Sequence, residues 1–390
     1  MARPLVLLID YKSHFGSKYV AEPYRSGMSL SRLAELFRDS GYELELLGFP
    51  DVELGRDWKD IPVVYTSSED HDGHYKSYIE DVVLGLELAG ARTIPDFRFL
   101  RAHENKVFME ILRELLLTQT AASPARRLEL PCDPAGRGPA GEGLTGQSLA
   151  APSSAARHFG TYEEWEARQG AGHHANAHPS GVAPRTGTTP DTGQTVVKSA
   201  SGALSRGVEL GTNIDDLRAK VKKLSRSPSF RPDLRDLVRA LRRTGYEKES
   251  RNRRKFVTQE FVSGLDHDWK VLVYGDRYFV LRRGARPDDF RASGGGRLSF
   301  HRELPPGLLD FARQVFDALR VPNVSLDIGV TPDGFVLFEF QAVYFGTYTV
   351  DHSEFHFRRV GADWSLVEGP AELEAVYAES VVRFLEAATR

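Results

Sequence analysis

Residues 324–345 read VSLDIGVTPDGFVLFEFQAVYF, in which two apolar, β-prone segments flank Thr331-Pro332-Asp333-Gly334. Proline and glycine at these positions favour a tight turn, so the stretch predicts two antiparallel strands joined as a hairpin.

Acidic and amide side chains interrupt both strands of the hairpin. Glu339 and Gln341 are two residues apart and therefore share one face of their strand, and a tight turn brings Asp327 alongside them. Three oxygen ligands of the kind that Mg²⁺ prefers would converge there and leave coordination positions for nucleotide phosphates. Acids near strand ends are also commonly solvated, so this pattern alone leaves both interpretations open.

The segments before and after the hairpin continue a mixed pattern of strands and helices. Upstream, residues 256–262, 270–274 and 278–282 are β-prone, and Gly275-Asp276-Arg277 predicts a hairpin turn between the last two. Apolar residues recur at helical spacing within 303–319 and again in 371–387. We expect these segments to form a carboxyl-terminal domain covering residues 259–390.

The amino-terminal part alternates strands with helices. Apolar, β-prone segments predict strands at 5–11, 42–49 and 61–66. Apolar residues at helical spacing predict helices at 29–39, 75–88 and 106–117. Such alternation is typical of a parallel sheet covered by helices, so we predict an α/β fold whose first domain comprises residues 1–117.

The region from 118 to 195 is dominated by Ala, Gly, Pro, Ser and Thr, and we expect it to be mostly loop and largely disordered. One island, 159–168, predicts a short helix capped by Thr161 and Glu164. Strand 195–199 and helix 215–223 follow, so the central domain is predicted at 118–258, with the region 118–195 as an insertion.

Composition limits the classes of partner. The 390 residues carry 51 Lys and Arg against 54 Asp and Glu, a net charge of −3 that gives no general attraction to nucleic acid. No segment reaches the roughly 18 apolar residues that span a bilayer. The basic stretch 232–254 lacks interleaved aromatic residues and is interpreted as a solvated helix face. Cys132 is the only cysteine, which favours a reducing compartment, and we expect a cytoplasmic protein.

Two further segments carry groups suited to anions. Lys198 ends the apolar segment 195–198 and precedes a loop of small residues, an arrangement that can present an ammonium and backbone N–H groups to phosphate. Arg283 and Arg291 both precede the glycine-rich stretch 294–296. Their guanidinium groups can donate paired hydrogen bonds to phosphate or carboxylate oxygens. Each segment also has an ordinary interpretation: Lys198 as a surface lysine in a flexible loop, and the arginine segment as a polar turn. The Walker A sequence pattern is absent, which counts against a P-loop nucleotide site.

In their joint order, these segments resemble the ATP-grasp superfamily, most closely its ribosomal S6 glutamate ligase-like and D-alanine–D-alanine ligase-like branches. The resemblance implies an amino-terminal α/β domain followed by two α+β subdomains that clasp ATP. It places Lys106, in His103-Glu104-Asn105-Lys106, and Lys198 at lysines that contact ATP. The hinge that meets adenine would be Glu260, Phe261 and Val262, and the ribose hydroxyls would be held by Asp268.

The same resemblance assigns the reacting groups. Arg283 and Arg291 match basic catalytic positions, and Asp327, Glu339 and Gln341 match the metal ligands, with Gln341 where the family commonly has Asn. Gln keeps the amide oxygen but moves it one methylene farther out. The Pro-Gly that usually follows is replaced by 343–346, Val-Tyr-Phe-Gly, so we expect an unusual acceptor pocket.

The resemblance implies an ADP-forming ligase that uses ATP and Mg²⁺, with Mn²⁺ as an alternative metal, to join a small-molecule carboxylate to an amine. Amino acids or peptides are the expected substrates, and similar proteins are often homodimers. No nucleic acid or membrane partner is expected. Two other functions remain open: phosphoryl transfer to a hydroxyl by a small-molecule kinase, and nucleotide binding without catalysis.

Overall fold

A computed structural model of the chain describes residues 2–70, 72–121, 156–171, 193–201, 207–227, 230–243, 245–285 and 297–387. Arg291, Cys132 and most of the predicted insertion 118–195 lie outside these ranges. The described residues divide into two compact units: a larger one drawn from 1–103, 112–151 and 265–390, and a smaller one drawn from 104–111 and 152–264. The division into three domains stays a prediction.

The larger unit begins with a parallel four-stranded sheet of order β2-β1-β3-β4. Its strands and helices are β1 Arg3–Ile9, α1 Leu30–Asp39, β2 Tyr42–Gly48, β3 Pro62–Tyr65, α2 His74–Leu88, β4 Arg92–Ile94, α3 Phe97–Ala102 and α4 Lys106–Ala121, the last of which also enters the smaller unit. The centre of β1 is buried on both faces, which is why its sequence is a continuous apolar run rather than an alternating one. Ser29 caps α1 by accepting a hydrogen bond from the backbone of Arg32.

The smaller unit is built on an antiparallel four-stranded sheet of order β5-β8-β6-β7. Its elements are β5 Arg157–Phe159, α5 Tyr162–Ala171, β6 Thr195–Ser199, β7 Val208–Gly211, α6 Ile214–Ser225, α7 Phe230–Arg242 and β8 Phe256–Glu260. The predicted cap of α5 is present: the Thr161 hydroxyl accepts from the Glu164 backbone at 3.1 Å, and the Glu164 carboxylate accepts from the Thr161 backbone at 3.0 Å. Trp165 of α5 packs into this unit's core with Val197 and Phe256.

The rest of the larger unit is an antiparallel sheet of order β13-β12-β9-β10-β14-β15, with β11 paired to β10. Its elements are β9 His267–Tyr274, β10 Arg277–Gly284, β11 Arg297–Ser299, α8 Leu308–Leu319, β12 Asn323–Thr331, β13 Gly334–Gln341, α9 Tyr348–His352, β14 Phe355–Val360, β15 Asp363–Glu368 and α10 Leu373–Ala387. Helix α10 packs against α1, and one apolar core joins residues of both sheets within this unit. Burial of this continuous apolar surface is the main stabilising contribution.

The predicted α/β class and both predicted hairpins are confirmed. Tyr274 pairs with Arg277, so the first turn consists of Gly275 and Asp276, and the positive φ of 60° at Gly275 explains the glycine. Thr331 pairs with Gly334 in the second hairpin. The basic stretch 232–254 is helical only as far as Arg242, which is the end of α7. Among the described residues, no helix has the length and apolar character needed to cross a membrane.

His356 is a buried titratable group in β14. Its side chain is 7% exposed, and neither ring nitrogen has a hydrogen-bond partner among the described residues. Burial lowers the pKa of His356, and the positive charges of Arg277 and Arg358 lower it further, whereas Asp276 opposes them. The folded protein therefore holds this imidazole neutral at a pH where an unfolded chain would protonate it.

Stability should consequently fall as the pH is lowered through about 6.5, the pKa of histidine in an unfolded chain, because only the unfolded state then takes up the proton. The variant His356→Leu should show a smaller loss of unfolding free energy between pH 7 and pH 5, measured by urea denaturation. The matched control is His74→Gln, which changes a histidine whose side chain is 87% exposed. An equal pH dependence in His356→Leu and the unaltered protein would contradict this assignment.

Candidate active site

The strand register of the antiparallel sheet gathers charged side chains on one face. Asp327 in β12 lies opposite Glu339 in β13 and opposite Lys270 in β9. Arg283 in β10 lies opposite Asp268 in β9. Because Asp268 and Lys270 are two residues apart, and directly paired residues share a face, all five side chains point to the same side of the sheet.

Ion pairs connect this group, which we call the β9–β13 charge cluster: Asp268, Lys270, Arg283, Asp327 and Glu339. The Arg283 guanidinium donates to both carboxylate oxygens of Asp268, at 2.7 and 2.8 Å, and lies 2.8 Å from Oδ2 of Asp327. The Lys270 ammonium is 3.3 Å from Oδ1 of Asp327. Each oxygen of Asp327 therefore has a cationic partner.

Burial and charge act in opposite directions on the pKa values of the cluster. Burial by itself raises the pKa of Asp327, but Arg283 and Lys270 outweigh it and hold that pKa at about 2. Burial opposes protonation of Arg283, yet Asp327 and Asp268 raise its pKa above the usual value. Both partners consequently stay ionised at neutral pH. Sequence reasoning missed Lys270, although alternation from Asp268 places it on the same face.

The structure places the three predicted metal ligands beside one another. Glu339 and Gln341 lie on one face, where the Gln341 amide nitrogen donates to Oε1 of Glu339 at 3.2 Å, and Asp327 is the residue paired with Glu339. Two carboxylates and an amide oxygen fit a hard divalent cation that completes its coordination with water or phosphate. Among the described residues, no three His, Cys, Asp or Glu side chains cluster as a metal site, so an amide ligand is part of the assignment.

Binding of a divalent cation would change two contacts of these ligands. Asp327 would have to exchange at least one of its cationic partners, and Gln341 would have to present its oxygen instead of its nitrogen. The second change needs only a rotation of the amide group about its last side-chain bond. The donor set therefore fits a metal ion, with Lys270 and Arg283 as competitors for Asp327.

Asp268 differs from its expected surroundings. The resemblance implies a ribose contact for this residue, but in the structure both of its oxygens accept from Arg283, and it is only 7% exposed. The ribose role stays a prediction, and the observed role of Asp268 is to hold Arg283. Arg291, the other predicted catalytic arginine, lies outside the described residues.

The smaller unit carries the predicted nucleotide-binding residues other than Asp268. Antiparallel pairing of β6 with β8 sets Thr195 opposite Glu260 and Lys198 opposite Val257, and the Phe261 backbone donates to Gln194 at 3.4 Å. The predicted hinge 260–262 and Lys198 therefore lie on neighbouring strands, displaced by three residues or about 10 Å along the strand. This displacement is comparable to the length of a nucleoside.

Lysines also surround the residue that follows β6. The Ala200 carbonyl accepts a hydrogen bond from the backbone N–H of Lys106 at 2.8 Å, and the Ala200 backbone N–H donates to the backbone carbonyl of Lys255 at 3.1 Å. Asn105 caps α4 through the backbone of Phe108, and its side-chain oxygen also accepts from the Lys255 ammonium at 2.9 Å. Lys106, Lys198 and Lys255 thus lie near the amino end of α4, where the helix dipole also favours an anion. The sequence did not indicate Lys255 as a site residue, because it stands at the end of the basic stretch 251–255 and is not distinguished from its basic neighbours.

The residues that follow the metal motif do not form a single exposed strand. Asp351 and His352 belong to the short helix α9, and the ring of His352 stacks on Tyr348 at 4.1 Å. His356 lies in β14 and is buried. Tyr344 packs near His103, with ring centroids 5.9 Å apart, and burial raises the pKa of its phenol. The unusual acceptor pocket expected from residues 343–346 stays a prediction.

Comparison with known proteins finds structural similarity but no match at the level of sequence. No family model matches the chain, and no curated protein matches it. Among solved structures, the chain is similar to the D-cycloserine synthetase DcsG, with 13% identity, a TM-score of 0.49 and coverage of 98% of this chain and 99% of that one. For a RimK domain ATP-grasp protein from Sphaerobacter thermophilus, the identity is 13%, the TM-score 0.47 and the coverage 98% and 99%.

A third structure, D-alanyl-alanine synthetase A from Vibrio cholerae, has 11% identity, a TM-score of 0.45 and coverage of 99% of this chain and 100% of that one. Identities this low assign no activity or substrate to the chain. The chain is thus similar along its length to solved structures that include an ATP-grasp protein.

Proposed function

We propose that this chain is an ATP-grasp ligase that uses Mg²⁺ and ATP to join a carboxylate to an amine, forming ADP and phosphate. The observation that carries the proposal is the pairing of Asp327 with Glu339, with Gln341 beside it and with Lys270 and Arg283 on the same face. A metal-binding oxygen set and two cations within one cluster suit the transfer of a phosphoryl group between anions.

The proposed reaction has two steps. A carboxylate oxygen attacks the γ-phosphorus of ATP, the bond to the β-phosphate oxygen breaks, and ADP leaves. An amine then attacks the carbonyl carbon of the acylphosphate, loses a proton, and displaces phosphate. The first step brings two anions together, so catalysis depends on positioning and on neutralising charge. Mg²⁺ held by Asp327, Glu339 and Gln341 would supply part of that neutralisation.

The chain's own residues supply the rest. Lys106 and Lys198 are proposed to bind the α- and β-phosphates, and the backbone of 260–262 is proposed to meet the adenine edge. Arg283 is held rigidly by Asp268, and a fixed guanidinium is suited to stabilising charge that develops on a transferred phosphoryl group. We assign Arg291 the same kind of role from its sequence position alone.

The test of this function is ADP release from Mg²⁺-ATP across panels of amino acids, short peptides and other carboxylates, each with and without amines. A ligase requires both partners and gives a product whose mass equals acid plus amine minus water. A phosphorylated product formed without an amine would replace the ligase with a kinase. ATP binding without turnover on any panel member would favour a nucleotide-binding protein.

Lys198 provides a separate test of the nucleotide site. Lys198→Ala should weaken ATP binding about 10- to 100-fold, because a charge-assisted bond to phosphate is lost. Calorimetric titration measures this affinity directly. The control in the same unit is Lys223→Ala, which removes a lysine that is 74% exposed and paired with Glu209. Unchanged ATP affinity in Lys198→Ala would remove Lys198 from the site.

A further inference from the structure

Lys270 is a partly buried cation of the β9–β13 charge cluster, to which the proposed reaction assigns no step of its own. Its side chain is 16% exposed and projects from the middle of the sheet, on β9, directly opposite Asp327. Among the described side chains, Asp327 is its one partner, at 3.3 Å. A lysine in this position places a positive charge at the carboxylate that is proposed to bind metal.

The two cations that contact Asp327 are held very differently. Arg283 is fixed by its forked pair with Asp268, so it stays in place whatever happens at Asp327. Lys270 has no such second anchor among the described residues, and its ammonium ends a flexible four-carbon chain. The longer contact, 3.3 Å against 2.8 Å for Arg283, is the one that can be exchanged.

The charge balance favours that exchange. Asp268, Asp327 and Glu339 carry three negative charges against the two positive charges of Lys270 and Arg283. A divalent cation between Asp327 and Glu339 would be repelled by the Lys270 ammonium. Movement of that ammonium away from Asp327 relieves the repulsion. The displaced ammonium would remain beside the metal, where nucleotide phosphates supply new negative charge.

We propose that Lys270 occupies the cation position at Asp327 in the metal-free protein, gives up that position when a divalent cation binds, and then pairs with nucleotide phosphate. The inference rests on the proposed metal site of Asp327 and Glu339. It predicts that Lys270 opposes metal binding in the absence of nucleotide and supports nucleotide binding in the presence of metal.

The test is a titration with Mn²⁺ in the absence of nucleotide, in which free Mn²⁺ is measured by electron paramagnetic resonance. Lys270→Met should bind Mn²⁺ on the order of tenfold more tightly than the unaltered protein, since a nearby like charge is removed. Lys270→Arg, which keeps the charge, should stay close to the unaltered protein. In a second titration, with Mg²⁺ present, Lys270→Met should bind ADP several-fold more weakly.

Two controls separate this inference from its premises. Lys59→Met removes an exposed lysine that precedes β3 of the parallel sheet, and it should leave both affinities unchanged. Glu339→Gln should weaken Mn²⁺ binding, and if it does not, the metal site itself is wrong. Circular dichroism verifies that each variant is folded, and Lys270→Gln replaces Lys270→Met if the latter does not fold.

The outcomes are distinct. Tighter Mn²⁺ binding and weaker ADP binding in Lys270→Met establish the exchange. Mn²⁺ affinity that is unchanged or reduced in Lys270→Met, while Glu339→Gln loses binding, overturns the role of Lys270 and leaves the metal site standing. Absence of measurable Mn²⁺ binding in the unaltered protein and in Lys270→Met overturns it as well.

Discussion

Replacing Glu339 with alanine should reduce turnover by at least about 100-fold, the loss typical of removing one group that stabilises developing charge. The fold should be retained. Glu339 is only partly buried, and its described hydrogen bond is the one from Gln341. Its removal also relieves repulsion with Asp327, so we expect the free energy of unfolding to change by less than about 1 kcal/mol.

The measurement is the rate of ADP release with substrates identified by the panel assay, together with a urea denaturation curve. Glu368→Ala is the matched control, because it removes the same side chain from β15 of the same sheet, where it is 61% exposed and paired with Arg302. Full activity in Glu339→Ala would exclude Glu339 as a metal ligand.

Replacing Arg283 with methionine should produce the largest loss of stability, about 3–5 kcal/mol, since breaking a buried ion pair leaves charges without a partner. Arg283 is buried, at 8% exposure, and its guanidinium bonds two carboxylates, those of Asp268 and Asp327. Methionine fills a similar volume but leaves Asp268 with neither of its guanidinium hydrogen bonds. Turnover should fall too, because Arg283 belongs to the proposed catalytic group.

Chemical denaturation measures the loss, with Arg313→Met as the control, since Arg313 forms an exposed pair with Asp317 at 3.4 Å. That variant should lose less than about 1 kcal/mol. Combining Asp268→Asn with Arg283→Met should recover part of the loss, because the unpaired charge is removed. A loss in Arg283→Met no larger than in the control would show that the cluster is not a stabilising unit.

Much of the fold follows from local sequence patterns. The continuous apolar run of β1, the helical spacing of α1 and α2, the capping box at Thr161 and Glu164, and the turn at 331–334 each specify their own element. These signals depend only on residues near in sequence. The short strands β4, β5 and β7, of three or four residues, carry too little periodicity to be predicted.

The candidate site was predictable where one hairpin forms it. Asp327, Glu339 and Gln341 are joined by a tight turn, so alternation was sufficient to place them together. Lys270 and Asp268 reach the site through pairing of β9 with β12 and β10, and sequence alone does not give the order of strands in a sheet. The ion pair between Asp268 and Arg283 could therefore not be predicted, because the sequence does not show whether an arginine is buried or solvated.

Activation of a carboxylate by ATP can be tested by following the oxygen atoms of that carboxylate. The acid substrate found by the panel assay is labelled with ¹⁸O in its carboxylate, incubated with Mg²⁺-ATP and the amine, and the phosphate released is analysed by mass spectrometry. An acylphosphate intermediate transfers one carboxylate oxygen to each phosphate, so we predict singly labelled phosphate in proportion to product. Unlabelled phosphate would show that the carboxylate never attacks ATP, and would contradict the ligase mechanism.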